Sequence, residues 1–202
     1  MIAIIDYGVG NLFSLKCSIQ AVGQEAVVSS DRHVIEQADK ILLPGVGAFE
    51  DAAAKLRGSG LADVVKEQAG QGKPLLGICL GMQLLLEKSY EYGEHEGLGL
   101  IRGAVRPIAD VIPDGFKIPH IGWNALLFRK PSKLYRYVRE GEHVYFVHSY
   151  YAADCDSAVT AVSEYGADLT ASIEEDNVFG CQFHPEKSGD VGLKILKAFC
   201  EL

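Results

Sequence analysis

Short apolar runs rich in β-branched residues punctuate the first part of the chain: Ile2 to Ile5, Ala26 to Val28, Lys40 to Leu43 and Leu75 to Ile78. They are continuous rather than alternating, which predicts parallel strands buried on both faces. Between them the spacing becomes helical. Leu12, Leu15, Ile19 and Val22 recur on one face, with Asn11 as N-cap and Gly23 as the stop. A second helical zone runs from about Phe49 to Gln71, broken near Gly58-Ser59-Gly60, and a third from Leu80 to Glu87. Strand and helix thus alternate in the manner of a right-handed, doubly wound sheet.

After Gly93 the pattern changes. Gly97, Gly99, Gly103, Pro107, Pro113 and Pro119 separate short extended pieces, and later runs from His143 to Val147, Ala158 to Ser163, Leu169 to Glu174 and Val178 to Phe183 read as strands. Val159, Ala161 and Ser163 alternate with Thr160, Val162 and Glu164, which predicts a half-exposed strand added antiparallel to the sheet. A last helix carries Val191, Ile195 and Phe199 on one face. The expected fold is α/β: a doubly wound, mostly parallel open sheet with antiparallel additions in the C-terminal half, built by one domain over residues 1–202.

Composition narrows the setting. With 48% hydrophobic residues the chain can bury a substantial core. Its 19 Lys and Arg against 27 Asp and Glu leave a net charge of −8, with no basic run beyond Arg129-Lys130, so nucleic acid is not an expected partner. No apolar stretch approaches the roughly 18 residues of a membrane span, and Met1 to Ile5 is cut short by Asp6 without a basic segment before it. Five cysteines, none in a Cys-x-x-Cys, suit neither a disulfide framework nor a zinc site. A reducing cytoplasm with room for one functional thiol is expected.

That thiol is Cys79. A buried strand runs through Gly77-Ile78 into Cys79 and directly into the helix opened by Leu80-Gly81, a Gly-x-Cys-x-Gly arrangement with the geometry of a nucleophile elbow. The glycines allow the turn to pack against the neighbouring strand and helix, the helix N-terminus favours a thiolate, and the Leu80 amide can bind an oxyanion. A lone cysteine is ordinarily a core residue; the strand-to-helix setting is what sets this one apart. Among six histidines, His184 stands at the end of a strand, where open α/β sheets place their sites. Pro185 keeps it extended, so Glu186 points the same way and is placed to orient the imidazole. The Gly8-Val9-Gly10 loop lacks the third small residue of a dinucleotide fingerprint, since Phe13 fills that slot, so neither NAD nor FAD is expected. The loop Pro44-Gly45-Val46-Gly47 follows the third strand and can offer a second N–H to the oxyanion.

Gly77-Ile78-Cys79-Leu80-Gly81-Met82-Gln83 and Phe183-His184-Pro185-Glu186 resemble the two signatures of the triad-type (class I) glutamine amidotransferases. Ile5 to Leu12, Pro44 to Phe49, Pro119 to Asn124, Tyr145 to Tyr150 and His184 to Ser188 are similar, in order, to the members that serve as glutaminase subunits in histidine biosynthesis. Cys181 departs from the Thr or Ala expected there. The resemblance implies Cys79 as nucleophile, His184 as proton shuttle and Glu186 as its orienting acid. It also implies that L-glutamine lies against Gly45, Val46, Gly47, Leu80, Gln83 and the backbone of His148, Ser149 and Tyr150. Ammonia would pass to a cyclase subunit, forming a heterodimer that makes imidazole glycerol phosphate and AICAR, with no cofactor and no metal. Asn11, His120, Trp123, Tyr145 and Lys187 are the implied partner-facing residues. Trp123 is the only tryptophan and sits in a turn-rich loop, where aromatic anchors are often interfacial. The same triad would also suit a stand-alone γ-glutamyl hydrolase, and a catalytically idle module would be marked by loss of one of its members.

Overall fold

The computed structural model describes all 202 residues. The first half runs β1 (Ile2–Ile5), α1 (Leu12–Ala21), β2 (Ala26–Ser29), α2 (Arg32–Gln37), β3 (Lys40–Gly45), α3 (Phe49–Gly58), α4 (Leu61–Gly70), β4 (Leu75–Cys79) and α5 (Leu80–Leu85). The second half adds β5 (Lys88–Ser89), β6 (His95–Glu96), β7 (Ala104–Pro107), β8 (His120–Ala125), β9 (Leu127–Phe128), β10 (His143–His148), β11 (Tyr150–Ala153), β12 (Val159–Glu164), β13 (Asp168–Glu175), β14 (Val178–Cys181) and α6 (Gly189–Cys200).

The main sheet has eight strands in the order β2-β1-β3-β4-β14-β13-β12-β9. From β2 to β14 neighbours are parallel, and β13, β12 and β9 continue antiparallel. The continuous apolar runs follow from this position. Ala3 and Ile5 of β1 join a layer with Phe49, Leu56, Leu61 and Val65 of α3 and α4, while Ile2 and Ile4 join Leu15 and Ile19 of α1 and Ile195 and Phe199 of α6 on the other face. No helix is long and apolar enough to cross a membrane.

Four sequence expectations are corrected. Asn11 stands at the N-cap of α1, but its side chain caps nothing; only its carbonyl is used, accepting from Leu15 N–H at 3.1 Å. The third helix stops at Leu85 rather than Glu87, because the following loop satisfies its last carbonyls: Leu98 N–H bonds Leu84, and both Leu100 and Ile101 bond Leu85. The strand at His143 does not extend the main sheet but pairs antiparallel with β8 in a separate ribbon, and β11 joins β7, β5 and β6 in a third sheet. Finally, β12 is buried on both faces rather than half-exposed. Thr160 Oγ1 lies 2.6 Å from Ser172 Oγ, which also meets the Tyr135 hydroxyl, so these polar positions point inward and are paired there.

Candidate active site

The β4–α5 junction holds Cys79 at φ 55°, ψ −113°, a backbone conformation that costs a non-glycine residue about 1–3 kcal/mol. The surroundings leave no alternative. A Cβ on Gly81 would stand 1.8 Å from the Leu43 carbonyl oxygen, and one on Gly77 2.6 Å from the Gly81 carbonyl oxygen. The end of β3 is equally tight, since a Cβ on Gly45 would meet the Gly81 nitrogen at 2.8 Å. Gly45 and Cys79 are register partners on adjacent strands.

On the other side of β4, β14 ends at Cys181 and releases the chain towards the site. His184 is extended (φ −97°, ψ 99°), and Pro185–Lys187 then form a 3-10 turn. The turn, not an extended i to i+2 relation, brings Glu186 Oε1 to 2.8 Å from His184 Nδ1. Both side chains are only 3% exposed. Burial works against a charged imidazole, but the Cys79 thiol and the Glu186 carboxylate outweigh it and the His184 pKa is pushed up to about 10. The second carboxylate oxygen, Glu186 Oε2, is buried without a hydrogen-bond partner.

A cavity of about 530 Å³ opens onto this group. Cys79, Leu80, Gln83, His148, Ser149, Tyr150, His184, Val46 and Gly47 all line it, so the structure gathers nearly every residue expected at a substrate site. Gly45 is the exception, lying buried at the end of β3. Gln83 Nε2 donates to the Tyr150 carbonyl at 3.2 Å, and His148 Nδ1–H donates to the same oxygen at 2.8 Å. Burial, chiefly, lowers the His148 pKa to about 4. Its Nε2 is left facing His120 Nδ1 at 3.0 Å.

Three residues given no role in the sequence reading also shape the site. Gln182 Nε2 lies 3.6 Å from Cys79 Sγ while its Oε1 accepts from Gln83 Nε2 at 2.9 Å. A lone amide in the apolar run Val178 to Phe183 was the available signal. Tyr7 donates its hydroxyl to the Pro44 carbonyl at 2.7 Å, steadying the loop before Gly45; burial, then Cys79, raises its pKa. Glu91, on the cavity wall, accepts from the Phe49 N–H at 2.6 Å at the head of α3. No group of three or more His, Cys, Asp and Glu side chains could hold a metal ion.

Of the surface candidates, Trp123 is 53% exposed and pairs with Tyr145 across the β8–β10 ribbon, ring centroids 5.8 Å apart. The Lys187 ammonium stands 5.9 Å from the Tyr145 ring centre, which makes these three one surface. Asn11 is half-buried at the head of α1. His120 is corrected: it is 1% exposed, stacked between Tyr165 and Phe146 and bonded to His148 and Asn124, so its side chain faces inward.

A cysteine on a strained strand-to-helix turn, facing a carboxylate-bound histidine at the carboxyl ends of parallel strands, defines a class of amide-cleaving enzymes, and the chain belongs to the glutamine amidotransferase class-I family, whose model matches residues 3–201. Within that family it is 50% identical over 203 residues to the imidazole glycerol phosphate synthase subunit HisH of Caldanaerobacter subterraneus subsp. tengcongensis, covering all of this chain and 98% of that one. It is 52% identical over 198 residues to the HisH subunit of Aquifex aeolicus, covering 97% and 94% of the two chains. Among solved structures, a glutamine amidotransferase superposes with a TM-score of 0.76 at 20% identity, covering 99% of this chain and all of that one. Thermotoga maritima PurLQS gives 0.77 at 20% identity, covering 99% and 97%. At that identity the structures speak for the fold.

Proposed function

We propose that this chain is the glutaminase subunit of imidazole glycerol phosphate synthase, releasing ammonia from L-glutamine for a cyclase subunit in histidine biosynthesis in the cytoplasm. The full-length identity to HisH subunits supports the pathway. The reading of the chemistry is carried by one observation: the buried His184–Glu186 pair, 2.8 Å apart, beside the thiol of the strained turn.

Cys79 Sγ attacks the carboxamide carbon, and the oxyanion takes N–H donors from Leu80 and from the Val46–Gly47 loop. His184, charged and held by Glu186, gives its proton to the leaving ammonia, then takes one from the water that cleaves the γ-glutamyl thioester. Glutamine and water become glutamate and ammonia, and the thiol is regenerated. Gln83 and the backbone of His148, Ser149 and Tyr150 hold the amino-acid end of the substrate. Trp123, Tyr145 and Lys187, with Asn11, face the cyclase subunit in a heterodimer.

The test is Cys79→Ala in the presence of the cyclase subunit. Glutamine-dependent product formation is lost, while added ammonium salts still support it. Undiminished glutamine-dependent turnover in Cys79→Ala would remove the nucleophile.

A further inference from the structure

Gln182 follows directly on β14; its backbone N–H is held by the Ala171 carbonyl of β13 at 2.9 Å, and the residue is buried. A backbone oxygen fixes the direction in which its amide points. The Tyr150 carbonyl can only accept, so the Gln83 atom 3.2 Å from it is the nitrogen. That nitrogen turns its second hydrogen to Gln182 at 2.9 Å, so the atom it meets there is Oε1. The other end of the Gln182 amide, 3.6 Å from the Cys79 sulfur, is therefore the nitrogen, and it can only donate. His184 faces the same sulfur but exchanges its proton during the reaction, whereas the amide remains a donor throughout. An N–H group bonds an ionised acceptor about twice as strongly as a neutral one.

We propose that Gln182 is a further catalytic residue, whose amide N–H stabilises the negative charge that returns to Cys79 Sγ when the γ-glutamyl thioester is cleaved. The proposal rests on the reading of Cys79 as the nucleophile. In the cleavage the oxygen of water bonds the acyl carbon and a water proton passes to His184. The C–S bond breaks, its electron pair goes to sulfur, and glutamate leaves. The sulfur is then a thiolate beside a charged imidazole, the state from which attack on the next glutamine begins. Because the amide bonds that charge more strongly than it bonds the uncharged thioester sulfur, it lowers the barrier to cleavage more than it steadies the intermediate. In the attack step the bond to the thiolate is present from the start, so it holds the sulfur ready without speeding that step. Removing the amide has two separable consequences, since the sulfur loses a donor and Gln83, on the cavity wall, loses an acceptor.

The experiment uses the full chain with the cyclase subunit bound and L-glutamine as substrate. Gln182→Met fills the space without donor or acceptor, whereas Gln182→Glu keeps an acceptor for Gln83 and turns an oxygen towards the sulfur. Both variants are expected to lower kcat by at least about tenfold, the effect of one hydrogen bond to a charged group. Mass spectrometry of acid-quenched samples during turnover is expected to find a γ-glutamyl adduct on Cys79 accumulating in both variants beyond its level in the wild type. In Gln182→Glu, whose contact with Gln83 survives, KM is not raised. Melting curves identify a variant that fails to fold, and the other then carries the test. Unchanged kcat, a fall in kcat without accumulation of the adduct, or a raised KM at full kcat in Gln182→Glu would overturn the proposal. An adduct on a residue other than Cys79 would instead overturn the reading of the nucleophile, so the two failures are told apart.

Discussion

The backbone N–H of His184 donates to the carbonyl of Tyr145 at 3.0 Å. Ser188 adds a second tie, accepting from the Tyr145 N–H at 3.0 Å and donating its hydroxyl to the His184 carbonyl at 2.6 Å. The ribbon that carries Trp123 and Tyr145 is therefore fastened directly to the turn that carries the proposed proton shuttle, and pressure on the exposed Trp123 and its half-buried partner Tyr145 has a short mechanical route to the imidazole.

Trp123→Ala is expected to weaken cyclase binding by about 2 kcal/mol or more, as for an interfacial anchor. Because the indole is 53% exposed, the thermal transition of the isolated chain should stay where it is. A binding titration together with a melting curve checks both. Unchanged affinity would dismiss the anchor.

Glu186→Gln preserves shape but leaves an amide against His184 Nδ1. We expect kcat to fall about 10³–10⁴-fold with KM little changed, since the acid acts on the imidazole rather than on glutamine. Steady-state kinetics with the cyclase subunit bound would expose a purely structural role as a change in KM or stability instead.

Stability should depend on pH in two opposed windows. His184 is raised from an ordinary value near 6.5 to about 10, so its folded form binds the proton more tightly; its contribution is full below pH 6.5 and is lost as pH rises towards 10. His148 is lowered to about 4, so its contribution is present above pH 6.5 and lost as pH falls towards 4. Melting temperatures across pH 4–10 should therefore fall on the alkaline side less steeply in Glu186→Gln, and on the acid side less steeply in His148→Gln. Parallel curves for wild type and variants would contradict the assignment.

Gly81→Ala should destabilise the fold by about 3 kcal/mol, because its Cβ would overlap the Leu43 carbonyl oxygen at 1.8 Å and backbone must move. Gly47→Ala contrasts with it. At φ 93° with open space around the Cβ, it strains one peptide without a clash. The urea midpoint should drop sharply for the first variant and little for the second, while turnover suffers in both.

The isolated chain should be a poor glutaminase. The glycines flanking Val46 permit two orientations of the loop peptide, one offering N–H and the other a carbonyl to the oxyanion. A cyclase subunit that favours the first would raise turnover by about 10²–10³, the worth of one such donor. Equal rates of glutamine hydrolysis for the free chain and the substrate-loaded complex would end this gating reading and favour a stand-alone hydrolase.

What could be read in advance was what neighbours in sequence determine. Continuous apolar runs identified the parallel half of the sheet, and the Gly-x-Cys-x-Gly spacing located the strained turn. His184 and Glu186 were legible as a pair, although the 3-10 turn joins them and an extended segment does not. Contacts between distant segments were not legible. Gln182 reaches Cys79 from another strand, Tyr7 reaches Pro44, and His120 looks like a surface residue of a turn-rich loop until Tyr165 and Phe146 close over it. Thr160 misled for a related reason: its hydroxyl is satisfied by Ser172 rather than by water, so polarity did not mean exposure.

The place of β14 in the sheet also bears on synthesis. Its register partners on β4 run from Leu75↔Val178 to Ile78↔Cys181, so the central strand that carries the thiol keeps one edge unpaired until nearly the whole chain has left the ribosome. For that interval Leu75, Leu76 and Ile78 form an open, apolar border, the kind of surface on which nascent chains associate wrongly. The same order means that sulfur and imidazole can meet only after His184 has been made, 105 residues later than Cys79. A half-made chain carries the cysteine but not the means to use it.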